Sequence, residues 1–150
     1  RLGPRAQLAR RIEPAHAGQV DVHDHRVGTD PPHELDAELR VRGGEQLHPL
    51  ELAEQLRGPS PPALLDVRNP GEHAFAVIPG SRLIPLGELS ERTDELEDWR
   101  DRDVVVYCHH GIRSAHAIVL LRTAGFTRLT NLSGGIDRWS EEVDPALPRY

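Results

Sequence analysis

Residues 104–121 read VVVYCHHGIRSAHAIVLL, and this stretch indicates both the fold class and the chemistry of the chain. The apolar, β-branched run DVVVYC ends at Cys108 and predicts a buried central strand of a parallel sheet. The segment SAHAIVLLRTAG predicts a helix that starts near Ser114 and stops at Gly125. Cys108, the single cysteine, is therefore predicted to lie between the end of a buried strand and the start of a helix.

The same alternation of strands and helices runs through residues 46–150. Short apolar runs predict further strands at ALLDV (63–67), RLIP (82–85) and RLTNL (128–132). Helices are predicted at PLELAEQLRG (49–58), after NPGE (69–72), at LGELSERTDELEDW (86–99) and at IDRWSEEV (136–143). Such alternation implies an α/β fold with a parallel sheet covered on both faces. Because ligands of these folds bind outside the C-terminal ends of the strands, Cys108 lies where a functional site is expected.

Composition excludes several classes of function. The chain carries 18 cationic and 24 anionic side chains and a net charge of −6, so no nucleic-acid or anionic-membrane partner is expected. No apolar run approaches the roughly 20 residues of a membrane helix. One cysteine cannot form an internal disulfide, and a cytoplasmic protein is the default expectation. The chain has no methionine, which is typical of a processed chain or of a fragment of a longer protein.

Residues 1–45 differ from the rest and are expected to form an N-terminal extension. Alternation at 34–42 predicts a half-buried strand, although Leu35 and Leu39 would also suit a helix, and weaker alternation at 19–27 predicts a second strand. A short β-hairpin and the remnant of a preceding domain both remain open for this region. His23 and His25 would face one way on such a strand, but surface histidines are favoured over a metal site.

The loop after Cys108 has the residues that a reactive thiol needs. Gly111 allows the backbone to curl so that successive amides point inward, and the following helix start adds partial positive charge. Arg113 adds a permanent cation. We therefore predict that Cys108 is a nucleophile held as a thiolate where solvent can reach it, against the alternative of a small core residue. The predicted substrate-binding residues are those of the loop and helix start: His109, His110, Gly111, Ile112, Arg113 and Ser114.

Two further predictions concern the surroundings of the loop. His109 and His110 suit substrate contact and a solvated loop equally well. Asp66 and Arg68 end an apolar strand at the same sheet edge as Cys108, and we expect them to brace the pocket rim as an ion pair. One cysteine and two adjacent histidines do not converge as zinc ligands do, so neither a metal nor a cofactor is expected.

Three blocks of the sequence resemble rhodanese-type sulfurtransferase domains. They are LLDVRNPGEHAFAVIPGSRLIPLGEL (64–89), YCHHGIRSAHAIVLLRTAGF (107–126) and NLSGGIDRWSEEVDPALPRY (131–150). The resemblance covers about Leu47 to Tyr150 and implies a parallel sheet of about five strands flanked by helices. It also implies that Cys108 takes a sulfane sulfur from a small anionic donor such as thiosulfate. A persulfide would then pass this sulfur to a thiophilic acceptor.

The resemblance also implies roles for individual residues. Loop amides would cradle the persulfide, and Arg113 would attract the anionic donor. Asp66 and Arg68 match the family's DVR strand end, Glu72 its first helix, and Trp139 an aromatic packing position. The family usually has glycine and histidine where this chain has Ala76 and Val77, which changes local backbone freedom and removes a polar contact.

Other functions fit less well or remain open. Cysteine phosphatases and arsenate reductases place five residues between cysteine and arginine, but only four separate Cys108 from Arg113, and Tyr107 stands where a histidine is usual. Mercaptopyruvate as donor is disfavoured because that subgroup has a different loop. A non-catalytic binding module remains an alternative. So does a sulfur relay domain that serves an E1-like adenylyltransferase and a sulfur-acceptor protein.

Overall fold

A five-stranded, all-parallel sheet forms the centre of residues 44–150, the part of the chain that the computed structural model describes. The strand order is β1-β5-β4-β2-β3. The strands are β1 (Glu45–Leu47), β2 (Ala63–Asp66), β3 (Ser81–Leu83), β4 (Val104–Tyr107) and β5 (Leu129–Leu132). The predicted α/β sheet of about five strands is confirmed, whereas the predictions for residues 1–43, including His23 and His25, lie outside the described residues.

Helices connect the strands. They are α1 (Pro49–Arg57), α2 (Pro70–Phe75), α3 (Ile112–Thr123) and α4 (Gly135–Glu142), with 3₁₀ helices η1 (Leu86–Glu91) and η2 (Thr93–Trp99). Between residues 44 and 150, no helix is long and apolar enough to cross a membrane.

The central strand β4 explains why the sheet is covered on both faces. All four of its residues are buried. Val104 and Val106 join one core cluster with residues of α3, while Val105 and Tyr107 join another with residues of α1 and α4. Burying each such side chain contributes roughly 1.5–3 kcal/mol, so an uninterrupted apolar strand is stable only between two layers.

The single amphipathic helix predicted at 86–99 is wrong. The chain forms two 3₁₀ helices that meet at Arg92, whose φ of −115° and ψ of 14° interrupt the helix. Buried Leu96 and Trp99 are three residues apart, as are Leu86 and buried Leu89. A spacing of three matches the three residues per turn of a 3₁₀ helix, so this geometry places both members of each pair on one side.

Candidate active site

The candidate site lies at the C-terminal edge of the sheet, as the strand pattern predicts. Asp66 pairs in register with Tyr107 on the neighbouring strand, so Asp66 and Cys108 come to the same edge. Helix α3 begins at Ile112, two residues earlier than predicted. The loop between β4 and α3 is therefore only four residues long, which brings the helix N-terminus close to Cys108.

The main chain of the loop curls around the sulfur. The amide of Gly111 donates to Cys108 Sγ at 3.0 Å. Gly111 has a φ of 106°, a left-handed conformation that side chains other than glycine rarely adopt. A Cβ at this position would meet no atom closer than 3.6 Å, so backbone conformation rather than space requires the glycine.

The start of α4 fixes the opposite side of the loop. The amides of Ile136 and Asp137 donate to the carbonyl oxygens of Cys108 and His109, at 2.9 and 3.1 Å. Gly135 makes this approach possible, because a Cβ there would collide with both of these oxygens. The carbonyls of Cys108 and His109 thus point toward α4, and the Gly111 amide points toward the sulfur.

A polar contact from β5 also fixes the loop. Ser114 Oγ donates to Asn131 Oδ1 at 2.6 Å, and Asn131 Nδ2 donates to the Gly111 carbonyl at 3.0 Å. Both side chains are buried. Cys108 Sγ lies 3.4 Å from Ser114 Oγ. Sequence reasoning missed Asn131, although a single amide among the apolar residues of LTNL was a usable signal.

Cys108 itself is only 1% exposed. The sequence led us to expect a sulfur that solvent can reach, with amides turned toward it. The structure fulfils the second expectation and not the first, since the residue is enclosed while the Gly111 amide contacts Sγ. The side chains of His110 in the loop and of Ile112 at the start of α3 are exposed and mark where this region meets solvent.

Arg113 forms a bidentate ion pair with Glu72. Its two terminal nitrogens donate to the two carboxylate oxygens of Glu72, both at 2.8 Å. This pairing lowers the pKa of Glu72 to about 2 and raises the pKa of Arg113. Glu72 also accepts from the main-chain amide of Asn69 at 3.0 Å, at the start of α2. The positive charge predicted beside Cys108 is thus present but largely compensated.

Asp66 and Arg68 form the predicted ion pair, and both are fully buried. Arg68 Nε donates to Asp66 Oδ1 at 2.9 Å, and Arg68 Nη2 donates to Asp66 Oδ2 at 2.6 Å. Burial alone would lower the pKa of Arg68, but its bonds to Asp66 and Tyr150 outweigh that cost and raise it. The pair therefore lies beneath the site rather than at an exposed rim. His73, which sequence reasoning missed, adds a contact of 2.8 Å from Nδ1 to Asp66 Oδ2.

Ala76, which stands where the family usually has glycine, makes a main-chain contact with the buried ion pair. Its carbonyl accepts a hydrogen bond of 2.6 Å from Arg68 Nη2. Ala76 has a φ of −151°, an extended conformation that any residue adopts, so this position does not need glycine. Trp139 is buried in the second core cluster, where the resemblance placed a packing residue.

Tyr150 is the main site residue that sequence reasoning missed. Its hydroxyl accepts from Arg68 Nη1 and donates to Glu72 Oε1, both at 2.9 Å. Its ring stacks on that of His109, with centroids 4.0 Å apart and an angle of 11° between the planes. No pattern in the tail DPALPRY (144–150) indicates that it returns to the loop.

The two loop histidines differ in environment. His109 is packed between the rings of Tyr150 and His110, and burial lowers its pKa. His110 is largely exposed. Asp137 lies 4.0 Å from His109 Nε2 and 3.7 Å from His110 Nδ1. Among residues 44–150 there is no group of three side chains suited to holding a metal ion.

These features are those of a rhodanese-like domain, and comparison with known families agrees. The model of the rhodanese-like domain family matches residues 48–142, so the chain belongs to that family. It is 35% identical over 115 residues to the probable adenylyltransferase/sulfurtransferase MoeZ of Mycobacterium tuberculosis, covering 77% of this chain but only 29% of that protein. It is 37% identical over 96 residues to a sulfurtransferase of Allochromatium vinosum, covering 64% of this chain and 88% of that protein.

Solved structures show the same likeness. A rhodanese-related protein from Thermoplasma volcanium aligns with a TM-score of 0.59 and 36% identity, over 67% of this chain and 94% of that one. The human single-domain sulfurtransferase TSTD1 aligns with a TM-score of 0.55 and 26% identity, over 66% of this chain and 97% of that one.

Proposed function

We propose that this chain is a sulfurtransferase in which Cys108 carries a sulfane sulfur as a persulfide. The observation that supports this most directly is the 3.0 Å hydrogen bond from the Gly111 amide to Cys108 Sγ at the start of α3. A main-chain donor beside a helix N-terminus stabilises negative charge on sulfur. The names of two relatives, MoeZ and the Allochromatium protein, include sulfurtransferase activity.

The reaction has two steps, with thiosulfate as the proposed donor. The Cys108 thiolate attacks the outer sulfur of thiosulfate, an S–S bond forms to Cys108, and the S–S bond of the donor breaks. Sulfite leaves with the bonding electron pair, and the enzyme keeps a persulfide anion. A nucleophilic acceptor such as cyanide then attacks the terminal sulfur, the persulfide bond breaks, and the thiolate returns with the product thiocyanate.

The loop residues would stabilise the terminal sulfur of the persulfide. That sulfur carries the negative charge, so it would be bound by main-chain amides of the curled loop and by the N-terminus of α3. Ser114, 3.4 Å from Sγ, supplies a hydroxyl beside the reacting atom. Arg113 would add a long-range attraction for the anionic donor, reduced by its ion pair with Glu72.

Exposed residues of the loop would form the entrance. His110 in the loop and Ile112 at the start of α3 are exposed, while Cys108 is buried. A small anion such as thiosulfate reaches an enclosed sulfur more easily than a large reagent does. His109, packed between two rings, is expected to line the route.

A sulfur relay domain is the second candidate. The region matched in MoeZ is 29% of a protein named for both adenylyltransferase and sulfurtransferase activities. In that case the persulfide chemistry at Cys108 would be the same, and the acceptor would be a sulfur-acceptor protein instead of a small molecule. The exposed Ile112 gives such a partner an apolar contact beside the reacting cysteine.

The test is intact mass spectrometry after treatment with thiosulfate. We expect the wild-type chain to gain one sulfur atom, which dithiothreitol then removes, and Cys108→Ser to gain none. A wild-type mass that stays unchanged with thiosulfate and with other sulfane donors would favour the non-catalytic binding module. A gain that persists in Cys108→Ser would place the modification elsewhere and exclude Cys108 as the carrier.

A further inference from the structure

We infer that Tyr150 is a positioning residue of the sulfur-transfer site, acting through Glu72 and His109. This inference rests on the proposed function, because it assigns Tyr150 a role in the same reaction. It concerns a residue that is 42 positions from Cys108 in the sequence and whose hydroxyl bonds to Arg68 and Glu72 rather than to the sulfur.

The hydroxyl of Tyr150 joins the side chains of two ion pairs, which are otherwise linked by a longer bond of 3.4 Å from Arg68 Nη1 to the main-chain carbonyl of Glu72. It accepts from Arg68 Nη1, whose guanidinium is paired with buried Asp66, and it donates to Glu72 Oε1, whose carboxylate holds Arg113. A hydroxyl is suited to this place because it has one proton to donate and lone pairs to accept. The buried pair thus fixes the position of Tyr150, and Tyr150 helps to fix the carboxylate that orients Arg113.

The ring of Tyr150 has a second partner in the loop. It stacks on His109, the residue after Cys108, at a centroid distance of 4.0 Å, and Phe75 packs edge-on against it at 5.6 Å. The stack covers one face of the imidazole and His110 lies over another part of it, 3.8 Å away. His109 is therefore held by aromatic contacts together with a hydrogen bond to the main chain of Tyr150, while its Nε2 has no hydrogen-bond partner among the described residues.

The segment that carries Tyr150 is itself anchored. We call residues 144–150 the closing segment. Leu147 packs against the second core cluster, and Arg149 pairs with Asp137 at 2.9 Å and with Glu141 at 2.8 Å. These contacts bring the tyrosine back to the loop with little freedom. Its position is consequently a property of the fold and not of a loose tail.

Two substitutions separate the two actions of Tyr150. Tyr150→Phe keeps the ring and removes the hydroxyl, so Glu72 loses a donor and its negative charge beside Arg113 is less compensated. We expect kcat/KM for thiosulfate to fall about fivefold, mainly through KM, as the loss of one hydrogen bond to a charged group permits. Tyr150→Ala removes the ring as well and uncovers His109.

Two measurements do not depend on sulfur transfer. The first is the ratio of Cys108 alkylation rates with iodoacetate, an anion, and iodoacetamide, which is neutral. We expect this ratio to fall about two- to threefold in Tyr150→Phe, because the local potential becomes less positive. The second is an NMR titration of the His109 ring. The pKa of His109 should rise in Tyr150→Ala, where burial is relieved, and stay unchanged in Tyr150→Phe. His110, Asp137, Glu72 and the hydrogen bond from the main chain at position 150 act on this pKa in both variants.

Val143→Ala is the matched control, since Val143 lies just before the closing segment and packs against the second core cluster, away from the loop. Val143→Ala should lower Tm without changing the iodoacetate-to-iodoacetamide ratio or the titration of the His109 ring. Glu72→Gln completes a double-mutant cycle with Tyr150→Phe. In the Glu72→Gln background, Tyr150→Phe should have little further effect on the alkylation ratio or on kcat/KM. Equal losses of kcat/KM in Tyr150→Phe and Val143→Ala, or an unchanged alkylation ratio in Tyr150→Phe, would overturn the inference. If the wild type gains no sulfur, the proposed function fails, while the alkylation ratio and the titration still decide the role of Tyr150.

Discussion

Arg113 and Glu72, 41 positions apart in the sequence, form a bidentate ion pair in which both nitrogen–oxygen distances are 2.8 Å. One partner lies in the first turn of α3 and the other in the first turn of α2. The pair therefore joins the two helices that border the Cys108 loop. A guanidinium and a carboxylate in this planar arrangement fix each other's orientation as well as their separation.

Glu72→Gln should leave Arg113 uncompensated beside Cys108. We expect iodoacetate to alkylate Cys108 about two- to fivefold faster relative to iodoacetamide, because the local potential becomes more positive. Stability should fall by about 1–2 kcal/mol, a value kept small because Arg113 is partly exposed and solvent screens the pair. Urea unfolding measures the second effect, and an alkylation ratio equal to that of the wild type would contradict the first.

The same pair should weaken in acid. The pKa of Glu72 is lowered from 4.5 to about 2 by its bond to Arg113, so the folded state holds the carboxylate ionised where the unfolded chain would protonate it. The stabilisation is thus fully present above pH 4.5 and is lost as the pH falls toward 2. Urea unfolding of wild type and Glu72→Gln at pH 7 and near pH 2.5 should show the difference between them shrinking. A constant difference would show that the ionised carboxylate contributes little.

Arg113→Ala tests the proposed attraction of the donor. We expect kcat/KM for thiosulfate to fall about tenfold, while Cys108 remains reactive toward iodoacetamide, since the anionic donor loses a long-range attraction and meets the Glu72 carboxylate without its partner. Arg113→Lys keeps the charge but cannot form the bidentate pair with Glu72, so its kcat/KM should lie between those of Arg113→Ala and the wild type. Unchanged turnover in Arg113→Ala would remove this role and leave the arginine as a structural partner of Glu72.

Much of this site could be predicted because it follows from local patterns. A continuous apolar strand ending in Cys108, a glycine and a helix start together define the loop, and parallel strands necessarily bring Asp66 to the same edge. Strand β1 was missed because Glu45 and Gln46 are exposed and the segment has no apolar run. Its pairing with β5, from Glu45↔Thr130 to Leu47↔Leu132, depends on contacts distant in sequence.

The residues that were missed act at long range. The hydroxyl of Tyr150 contacts Glu72 at a separation of 78 positions, and its bond to Arg68 spans 82. No helical or strand period encodes such contacts. The enclosure of Cys108 was missed for the same reason, since exposure of a strand end depends on what the rest of the chain packs over it.

Gly111→Ala should disrupt the cradle around the sulfur without creating a clash. A φ of 106° is strained for alanine by roughly 1–2 kcal/mol, so the loop should relax and turn the amide away from Sγ. We expect at least a tenfold loss in the rate of persulfide formation, measured by mass spectrometry after short exposure to thiosulfate. Gly80→Ala is the control, since Gly80 has a φ of 85° and open space around its Cα. Similar losses of persulfide formation in both variants would mean that strain, and not the lost amide, is responsible.

Asn131 should be needed to hold the C-terminal end of the loop against the first turn of α3. Asn131→Asp keeps the size and the acceptor for Ser114 but loses the N–H that donates to the Gly111 carbonyl. It also buries a carboxylate beside Cys108, which opposes a thiolate by like charge. We expect stability to fall by about 1–3 kcal/mol and iodoacetamide to react more slowly with Cys108 at neutral pH. Asn131→Ala removes the contacts without adding charge, so it should lose stability with a smaller effect on thiol reactivity. Equal alkylation rates in the two variants would show that charge at this position does not reach the sulfur.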